Sequence, residues 1–249
     1  MLHSLYAPAR AFAAGGQWLR ERCACAMPAG AVLLHAPAAA FQAPGGGENQ
    51  LLRTAWHLEA QGVTVRPLVP WIDRIENARL LHLFGMSTEG LALARVAKAR
   101  GIKVVLSPIC WFEPRALVAL APSRRSAAAA VAKWALRQVW PACPGWRREL
   151  LSLADAILPN SNAEARQLVR LFGVFPDRIH VVHNGVDERF AHSDASVFRA
   201  LHGSGDFVLY VGRIEPRKNV LALVRAACAA RMPLVVIGDP VPGHEPYAR

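Results

Sequence analysis

The sequence is poor in carboxylates and has no CxxC pair of cysteines. Its 249 residues hold 18 Asp and Glu against 29 Lys and Arg, a net charge of +11 at pH 7. That balance favours polyanionic partners such as nucleic acid, anionic lipid or phosphorylated substrates, although coding bias towards Arg and Ala would also produce it. The five cysteines include no CxxC pair, which argues against a disulfide framework or a zinc site and favours reduced thiols in the cytosol.

The chain also lacks an unbroken apolar run that would suit a membrane span. The longest uncharged run, residues 23–47, is interrupted by Pro28, Pro37 and Pro44, which divide it into loop, strand and loop. The first twenty residues contain Arg10 and Arg20 and no compact apolar core, which argues against a signal peptide. We therefore expect a soluble, cytoplasmic protein.

Short apolar runs alternate with helical patterns along most of the chain. Helices are predicted over 48–62, 88–101 and 162–173, and Gly62, Gly101 and Gly173 are their C-cap candidates. Apolar strands between such helices indicate a parallel sheet in an α/β fold. The strands are predicted at 31–37, 63–69, 80–85, 103–109, 155–161, 180–186, 207–213 and 233–239.

A polar segment rich in small residues, 187–206, suggests a domain boundary. We predict a doubly wound N-terminal domain over residues 1–190, a linker over 191–206 and the start of a second domain over 207–249. The last part holds one β-α-β unit of about 40 residues, too few for an independent α/β domain. We therefore expect this second domain to be incomplete and the chain to be truncated within it.

A glycine-rich turn, APGGGENQ at residues 43–50, lies between the first predicted strand and the helix that follows. Gly45, Gly46 and Gly47 would let the backbone approach a ligand closely, and the helix N-terminus behind them offers unpaired N–H groups. The turn matches neither the Walker A pattern nor GxGxxG. An ordinary flexible turn is therefore the alternative.

Positive charge is concentrated at the start of a predicted helix in residues 210–229, YVGRIEPRKNVLALVRAACA. Gly212 permits a sharp turn after the strand, and Pro216 suits a first helical turn. Arg213 and Lys218 can both reach the space beyond the carboxyl end of the strand, where open α/β sheets bind ligands. Since the helix dipole disfavours cations there, we interpret them as a diphosphate site, with a solvated turn as the alternative.

These residues carry a resemblance to a known family. The segment VLYVGRIEPRKNVLALVRA resembles the opening of the C-terminal domain in family 4 glycosyltransferases of the GT-B fold. Upstream, ADAILPNSNAEARQLVRLFGVFPDRIHVVHNGVDERF resembles the family's approach to the domain junction, and GGGENQLLRTAWHLEAQGVTV resembles its first loop and helix. The similarity covers most of residues 31–243.

The resemblance implies two facing Rossmann-like domains with an active site in the cleft between them. A sugar would pass from a nucleotide-diphosphate donor to a carbohydrate or lipid-linked acceptor with retention of configuration. Arg213 and Lys218, with Gly212, would bind the donor diphosphate, and the loop Gly45–Gly47 would lie against the phosphate or the acceptor. The chain contains no DxD pair, so no metal and no further cofactor is expected.

Two departures from the family pattern affect the expected active site. The family often has a histidine just after the strand that matches KVVLSPICWFEP, where this chain has Ser107 and Pro108. His82 and Asn184 are candidates for the edge of the cleft, with a structural role as the alternative for His82. The family's pair of glutamates spaced eight apart would come after the last residue of this chain. No catalytic residue is therefore assigned.

A basic stretch over residues 115–148 could lie on an anionic membrane surface, which would place the protein at the inner face of the membrane. The alternative is a solvated helix whose tryptophans pack inward. The cations and tryptophans of this stretch are Arg115, Arg124, Arg125, Lys133, Arg137, Arg147 and Arg148, and Trp134, Trp140 and Trp146.

Three functions compete at this point. A retaining glycosyltransferase is the leading hypothesis, and a truncated, non-catalytic chain that folds its first domain and binds ligand weakly or not at all is the second. Nucleic-acid binding is the third, and we expect no nucleic-acid partner because the basic residues are scattered and form no recognisable motif.

Overall fold

The computed structural model describes residues 9–42, 44–119, 121, 123–186, 188–192, 194–203, 205–241 and 247. The chain forms two compact units. The first extends from Phe12 to His183, and the second contains the described residues from Asn184 onward together with residues 9–11. The division therefore falls between His183 and Asn184, before the predicted end of the first domain at residue 190.

The first unit is built on a parallel sheet, as the sequence predicts. Within the described residues its strands have the order β2-β1-β3-β4-β5, and every adjacent pair is parallel. β1 is buried along its whole length, because helices cover both faces of the sheet. The predicted α/β class is confirmed. The strands are β1 Ala31–His35, β2 Val65–Pro67, β3 Ala78–Phe84, β4 Lys103–Ser107 and β5 Ala156–Ile157.

The helices of this unit begin and end at recognisable caps. The hydroxyls of Ser87 and Ser161 accept hydrogen bonds from the N–H groups of Gly90 and Glu164 and so cap α3 and α7. Gly173 ends α7 in the left-handed conformation, with φ 62°, as predicted. The helices are α1 Ala9–Ala24, α2 Gly46–Ala60, α3 Thr88–Ala99, α4 Pro114–Ala119, α5 Arg124–Val139, α6 Trp146–Leu153 and α7 Asn162–Phe172.

Two hydrophobic clusters lie on opposite faces of this sheet. Trp18 of α1 and Leu52 of α2 pack with Val32 and Leu34 on one face. Leu33, which points to the other face because side chains alternate along a strand, joins the cluster formed with α3, α6 and α7. Burial of these apolar side chains is the main favourable contribution to folding.

The second unit contains a two-stranded parallel sheet, β6 Val208–Val211 and β7 Leu234–Ile237, with α8 Ser196–His202 and α9 Val220–Ala229. This is the β-α-β arrangement that the sequence predicts from residue 207 onward. α8 lies within the segment predicted as a linker. Of the helices described in either unit, none combines the length and the apolar content that crossing a bilayer requires.

The strand predicted at 180–186 is wrong. The segment bonds to the chain around β5 through His180 N–H to Ile157 O and Val182 N–H to Pro159 O, both at 2.9 Å. The ladder does not continue, because β5 is two residues long and Pro159 has no N–H to donate. Val182 and Val186 are exposed, so the apolar side chains of this segment are not buried as those of a core strand would be.

Candidate functional site

The first candidate region lies at the carboxyl edge of the first unit's sheet, where α2 begins. α2 starts at Gly46, two residues before the predicted start, and Gly45 is its N-cap. The Gly45 N–H donates to the Glu48 carboxylate at 2.7 Å, whereas the first-turn N–H groups of a helix have no partner within the helix itself. The glycine-rich turn is therefore an ordered helix start.

The loop after β4 approaches this helix start. A Cβ placed on Gly47 would lie 3.5 Å from Cδ1 of Ile109, whereas one on Gly46 would have nothing within 4 Å. Ile109 has φ 46°, a left-handed conformation that costs a β-branched residue about 1–2 kcal/mol. Gly46 is thus the open side of the turn and Gly47 its packed side.

A buried carboxylate fixes the neighbouring loops. Glu164 of α7 accepts hydrogen bonds from the backbone N–H of Cys110 at 2.8 Å and of Asn160 at 2.7 Å, and it is 4% exposed. Asn160 Oδ1 accepts in turn from Gln50 Nε2 of α2 at 2.9 Å. The loops after β4 and β5 are therefore tied to the helix that carries the glycine-rich turn. Burial raises the pKa of the Cys110 thiol well above its ordinary value, and the nearby Glu164 adds to this.

His82, a predicted cleft residue, is buried in the sheet. Its Nε2 lies 2.9 Å from the hydroxyl of Ser107, and its ring stacks on Phe84 with centroids 4.2 Å apart. Burial lowers the pKa of His82 to about 4, because the charged ring would lose its hydration. These contacts fit the structural alternative better than ligand contact.

A second buried histidine lies closer to the edge. His35, the last residue of β1, is 5% exposed, and its Nε2 has no hydrogen-bond partner among the described residues. The Glu89 carboxylate at the start of α3 is 3.8 Å away. Burial lowers the pKa of His35, and Glu89 opposes this.

The second candidate region follows β6 in the other unit. Glu215 is 8% exposed and accepts from Arg217 Nη2 at 2.7 Å, while Arg213 Nη2 lies 3.6 Å from the same oxygen. The backbone carbonyl of Arg213 accepts from the Tyr210 hydroxyl at 2.9 Å. Lys218 is exposed, and its ammonium forms no ion pair within the described part of the chain.

The helix start predicted around Pro216 is interrupted. Residues Pro216–Lys218 form a 3-10 turn, Asn219 follows in the left-handed conformation with φ 54°, and α9 begins only at Val220. Lys218 therefore lies before the α-helix and not in its first turn. Asn tolerates this conformation better than most residues because its short polar side chain bonds locally.

The structure thus places the predicted residues in two groups. Gly45, Gly46, Gly47 and His82 belong to the first unit, and Gly212, Arg213, Lys218 and Asn184 belong to the second. Asn184 is exposed. Among the described residues no group of three His, Cys, Asp or Glu side chains could hold a metal ion.

The basic stretch 115–148 is only partly a free surface. Trp134 and Trp146 pack against the hydrophobic core. Arg137 is 6% exposed and lies over the Phe172 ring, 4.6 Å from its centroid. Arg147 lies 4.3 Å from the centroid of Trp146, whereas Trp140 is half exposed.

Sequence reasoning missed the residues that organise these regions. Glu164 and Glu215 each lie in a segment that the sequence analysis singled out. Both were missed because charged residues nearby in the sequence are typical of an exposed surface. The one available signal for Glu164 was its place three residues after Ser161, the spacing of a capping box. Gln50 and Asn160 are 110 residues apart in the chain, so no local pattern connects them.

Comparison with known proteins gives the following similarities. A family model described as Glycosyltransferase Family 4 matches residues 65–190, half of the chain. D-inositol 3-phosphate glycosyltransferase of Mycobacterium avium (strain 104) is 39% identical over 100 residues, which cover 37% of this chain and 23% of that protein. The protein of the same name from Acidothermus cellulolyticus is 37% identical over 105 residues, which likewise cover 37% of this chain and 23% of that protein. The matched segment thus spans about a quarter of these relatives.

Among solved structures, a glycosyltransferase from Rickettsia africae ESF-5 aligns with a TM-score of 0.31 and 10% sequence identity. The alignment covers 86% of this chain and 69% of that one.

Proposed function

The chain belongs to glycosyltransferase family 4, and on that premise we propose that it transfers a sugar from a nucleotide-diphosphate donor to an acceptor with retention of configuration. The bond between the sugar C1 and the diphosphate oxygen breaks, and a bond from C1 to the acceptor oxygen forms. The acceptor's proton leaves to the departing diphosphate or to solvent. Charge on the diphosphate grows as the donor bond breaks, so fixed cations beside it lower the barrier.

The donor assignment is supported by the place of two cations, since Arg213 and Lys218 both follow the carboxyl end of β6, where open α/β sheets bind ligands. Arg217 lies 2.7 Å and Arg213 3.6 Å from the Glu215 carboxylate, and Lys218 is exposed. This arrangement supports Arg213 and Lys218, with Gly212, as the diphosphate site. Arg and Lys would then supply the charge that a metal ion supplies in other transferases.

The acceptor assignment is supported by the ordered glycine-rich turn. Gly45–Gly47 form the N-terminus of a 15-residue helix whose open side is Gly46, a geometry suited to an anionic group. The similar proteins bear the name D-inositol 3-phosphate glycosyltransferase, which makes a phosphorylated cyclitol a first candidate among carbohydrate acceptors. Residues 1–190 would be the acceptor side, 191–206 a linker and 207–249 part of the donor side.

A lipid-linked acceptor would bring the protein to an anionic membrane surface from the cytoplasmic side. Arg115, Arg124, Arg125 and Lys133 are exposed, which supports this arrangement. Association of this kind weakens as salt screens the contacts.

The test is a calorimetric titration of the 249-residue chain with UDP, GDP and their sugar conjugates. Arg213→Ala and Lys218→Ala are each expected to weaken binding at least about tenfold, the loss of one charge-assisted contact. Arg217→Ala is the matched control, since it removes the same charge four positions from Arg213 and one position from Lys218. Equal binding by all three variants would place the donor site elsewhere.

Transfer itself is measured as release of nucleoside diphosphate with D-inositol 3-phosphate as the acceptor. In an active enzyme, either substitution at Arg213 or Lys218 should cost about 2–4 kcal/mol of transition-state stabilisation. Donor binding without any transfer to this or other carbohydrate acceptors would favour a non-catalytic binding chain.

A further inference from the structure

Trp71 holds almost its whole side chain in water. It is 96% exposed, and the next residue in the chain, Ile72, is 68% exposed. Trp111 and Trp140, by comparison, are 53% and 50% exposed. Scattered apolar residues are normal on a protein surface, but two large apolar side chains that adjoin each other in one exposed turn are a candidate for an interaction site.

The backbone of this segment forms a tight turn. The N–H groups of Ile72 and Asp73 donate to the carbonyl of Val69 at 3.0 Å and 2.8 Å. Pro70 is the second residue of the β-turn Val69–Ile72, a position that its fixed φ favours, and Trp71 is the third. We refer to residues 69–73 as the Trp71 turn.

A buried ion pair anchors the Trp71 turn. The Asp73 carboxylate accepts from Arg66 Nε at 3.0 Å and from the Val69 N–H at 2.8 Å, and the side chains of Arg66 and Asp73 are both buried. Arg66 also donates to the Cys25 carbonyl after α1 at 2.7 Å. Breaking a buried pair of this kind is strongly unfavourable. The exposed indole therefore stands on a rigid support, so a ligand that contacts it has little ordering to offset.

The Trp71 turn lies at the carboxyl edge of the first unit's sheet. It follows β2, the outermost strand next to β1, and the Leu68 N–H donates to the Leu34 carbonyl of β1 at 2.8 Å. Because the strands are parallel, the chain leaves β1 at the same edge and continues from there to the glycine-rich turn. The Trp71 turn is therefore one strand further out than the start of the proposed acceptor loop.

The charges around the Trp71 turn cancel. Residues 66–77 contain two cations and two carboxylates; Arg66 pairs with Asp73, and Glu76 lies 3.2 Å from Arg100. This balance favours a neutral ligand. The face of an indole is negative and attracts the positive edge of C–H groups, which the faces of a pyranose ring present, while the ring's hydroxyls stay hydrated at its rim. A neutral sugar ring therefore matches both the charge and the flat apolar surface.

We propose that Trp71 and Ile72 form a carbohydrate subsite, on which a neutral pyranose ring of an oligosaccharide acceptor stacks beyond the group held at the glycine-rich turn. The inference rests on the proposed function, since it specifies the class of acceptor. No bond is made or broken at this subsite. It contributes affinity alone, so its loss raises KM for a long acceptor and leaves kcat unchanged.

Two other occupants fit the Trp71 turn less well. A tryptophan side chain supplies about 150–250 Å² of contact area, well below the roughly 800 Å² per partner of a stable protein interface. An anionic bilayer would be held by an excess of cations, and residues 66–77 have none.

The experiment is ¹⁹F NMR of the full chain labelled with 5-fluorotryptophan and titrated with linear tetrasaccharides of glucose, mannose and N-acetylglucosamine. The resonance that disappears in Trp71→Tyr is that of Trp71. It should shift in a saturable way with at least one of the three tetrasaccharides, while the resonance of the half-exposed Trp140 stays in place. No shift of the Trp71 resonance with any of them would overturn the proposal.

The variants measure how much Trp71 contributes to tetrasaccharide affinity. Trp71→Ala should weaken it at least about tenfold, the effect of truncating a tryptophan anchor, and Trp71→Tyr less than about threefold, because an aromatic face remains. Trp140→Ala is the matched control and should bind as the unmodified chain does. Equal losses in Trp71→Ala and Trp140→Ala, or Trp71-dependent dimerisation or retention on phosphatidylcholine vesicles, would each contradict a carbohydrate subsite.

Nucleoside diphosphate binding separates this inference from the proposed function. Trp71→Ala should bind the nucleotide as the unmodified chain does, and a loss there would overturn the subsite. If the chain binds tetrasaccharide through Trp71 but neither binds nucleoside diphosphate nor transfers sugar, the proposed function fails and the subsite stands. Transfer to long acceptors with a KM that Trp71→Ala leaves unchanged would have the opposite meaning.

Discussion

A Cβ placed on Gly238 would clash with the backbone carbonyl oxygen of Gly212, so only glycine fits at this position. Gly212 follows β6 and Gly238 follows β7, with φ 155° and 144°. Hydrogen bonds between the two segments continue here, since the Gly212 N–H donates to Ile237 O and the Ile214 N–H to Asp239 O, both at 2.9 Å. The backbone that leads into Arg213 is therefore positioned by a contact that only glycine permits.

Gly238→Ala should destabilise the second unit by at least about 2 kcal/mol, because the added methyl group must displace the Gly212 carbonyl. Nucleoside diphosphate affinity should fall as well, since Arg213 follows the displaced residue. Gly205→Ala is the control, because a Cβ there has nothing within 4 Å. Urea denaturation and calorimetry of the two variants decide this. Equal stabilities would show that the backbone relaxes without cost.

Arg217→Ala should separate stability from ligand binding. Its half-exposed guanidinium pairs with the buried Glu215 at 2.7 Å, so its loss should lower the free energy of unfolding by about 1 kcal/mol. Donor affinity should change by less than about threefold, because the ion pair is screened and Arg213 is retained. A tenfold loss of affinity without loss of stability would instead make Arg217 a ligand contact.

Glu164→Gln should loosen the carboxyl edge of the first unit. The substitution replaces one acceptor oxygen with an NH₂ group that faces a backbone N–H, so one donor is left unpaired at a cost of about 2 kcal/mol. Hydrogen exchange at the amides of Cys110 and Asn160, the two groups that Glu164 binds, should accelerate. Glu113→Gln, an exposed carboxylate of the same loop, should change neither quantity. Unchanged exchange at both amides would contradict the prediction.

His82 should make the protein less stable in mild acid. Its pKa is lowered from 6.5 to about 4 in the folded state, so the unfolded chain binds a proton below pH 6.5 that the folded chain does not. Stability is therefore lost as the pH falls through this window, by about 3 kcal/mol in full.

The check on His82 is urea denaturation between pH 7 and pH 4 for the unmodified chain and for His82→Gln. Glutamine does not titrate, so the pH dependence should become shallower. His57→Gln, at an exposed position on α2, should keep the slope of the unmodified chain. Parallel slopes for all three proteins would refute the assignment.

Amide exchange should be slower in the first unit than in the second. The two clusters of buried apolar side chains found among the described residues lie between Trp18 and Ile179. In β6, Leu209 and Val211 are 53% and 68% exposed, so opening this sheet exposes little new apolar surface. Mass spectrometry of exchange in β3 and β6 tests this. Equal protection would mean that the two units unfold together.

Most of the first unit could be predicted from local patterns. Strands at β1, β3 and β4 follow from apolar runs between turn residues, and the ends of α2, α3 and α7 follow from the glycines after them. α1 was not predicted, because its packing depends on Trp18 meeting α2. The prediction of a strand at 180–186 was wrong because a strand needs a neighbouring segment whose N–H groups can pair with it. The neighbouring segment contains Pro159, which has no N–H, and the pattern within 180–186 does not reveal this.

The sequence by itself determined the α/β class, the parallel sheet and the two short segments on which the proposed donor and acceptor sites rest. These depend on residue type and spacing: glycine before a helix, and cations after a strand. Only the tertiary structure decided that Glu164 joins the loops after β4 and β5, that Arg217 lies closer to Glu215 than Arg213 does, and that Trp140 is half exposed while Trp134 packs against the core. These contacts connect residues up to 110 positions apart in the chain. Such residues meet only when the folded sheet brings its helices and loops together.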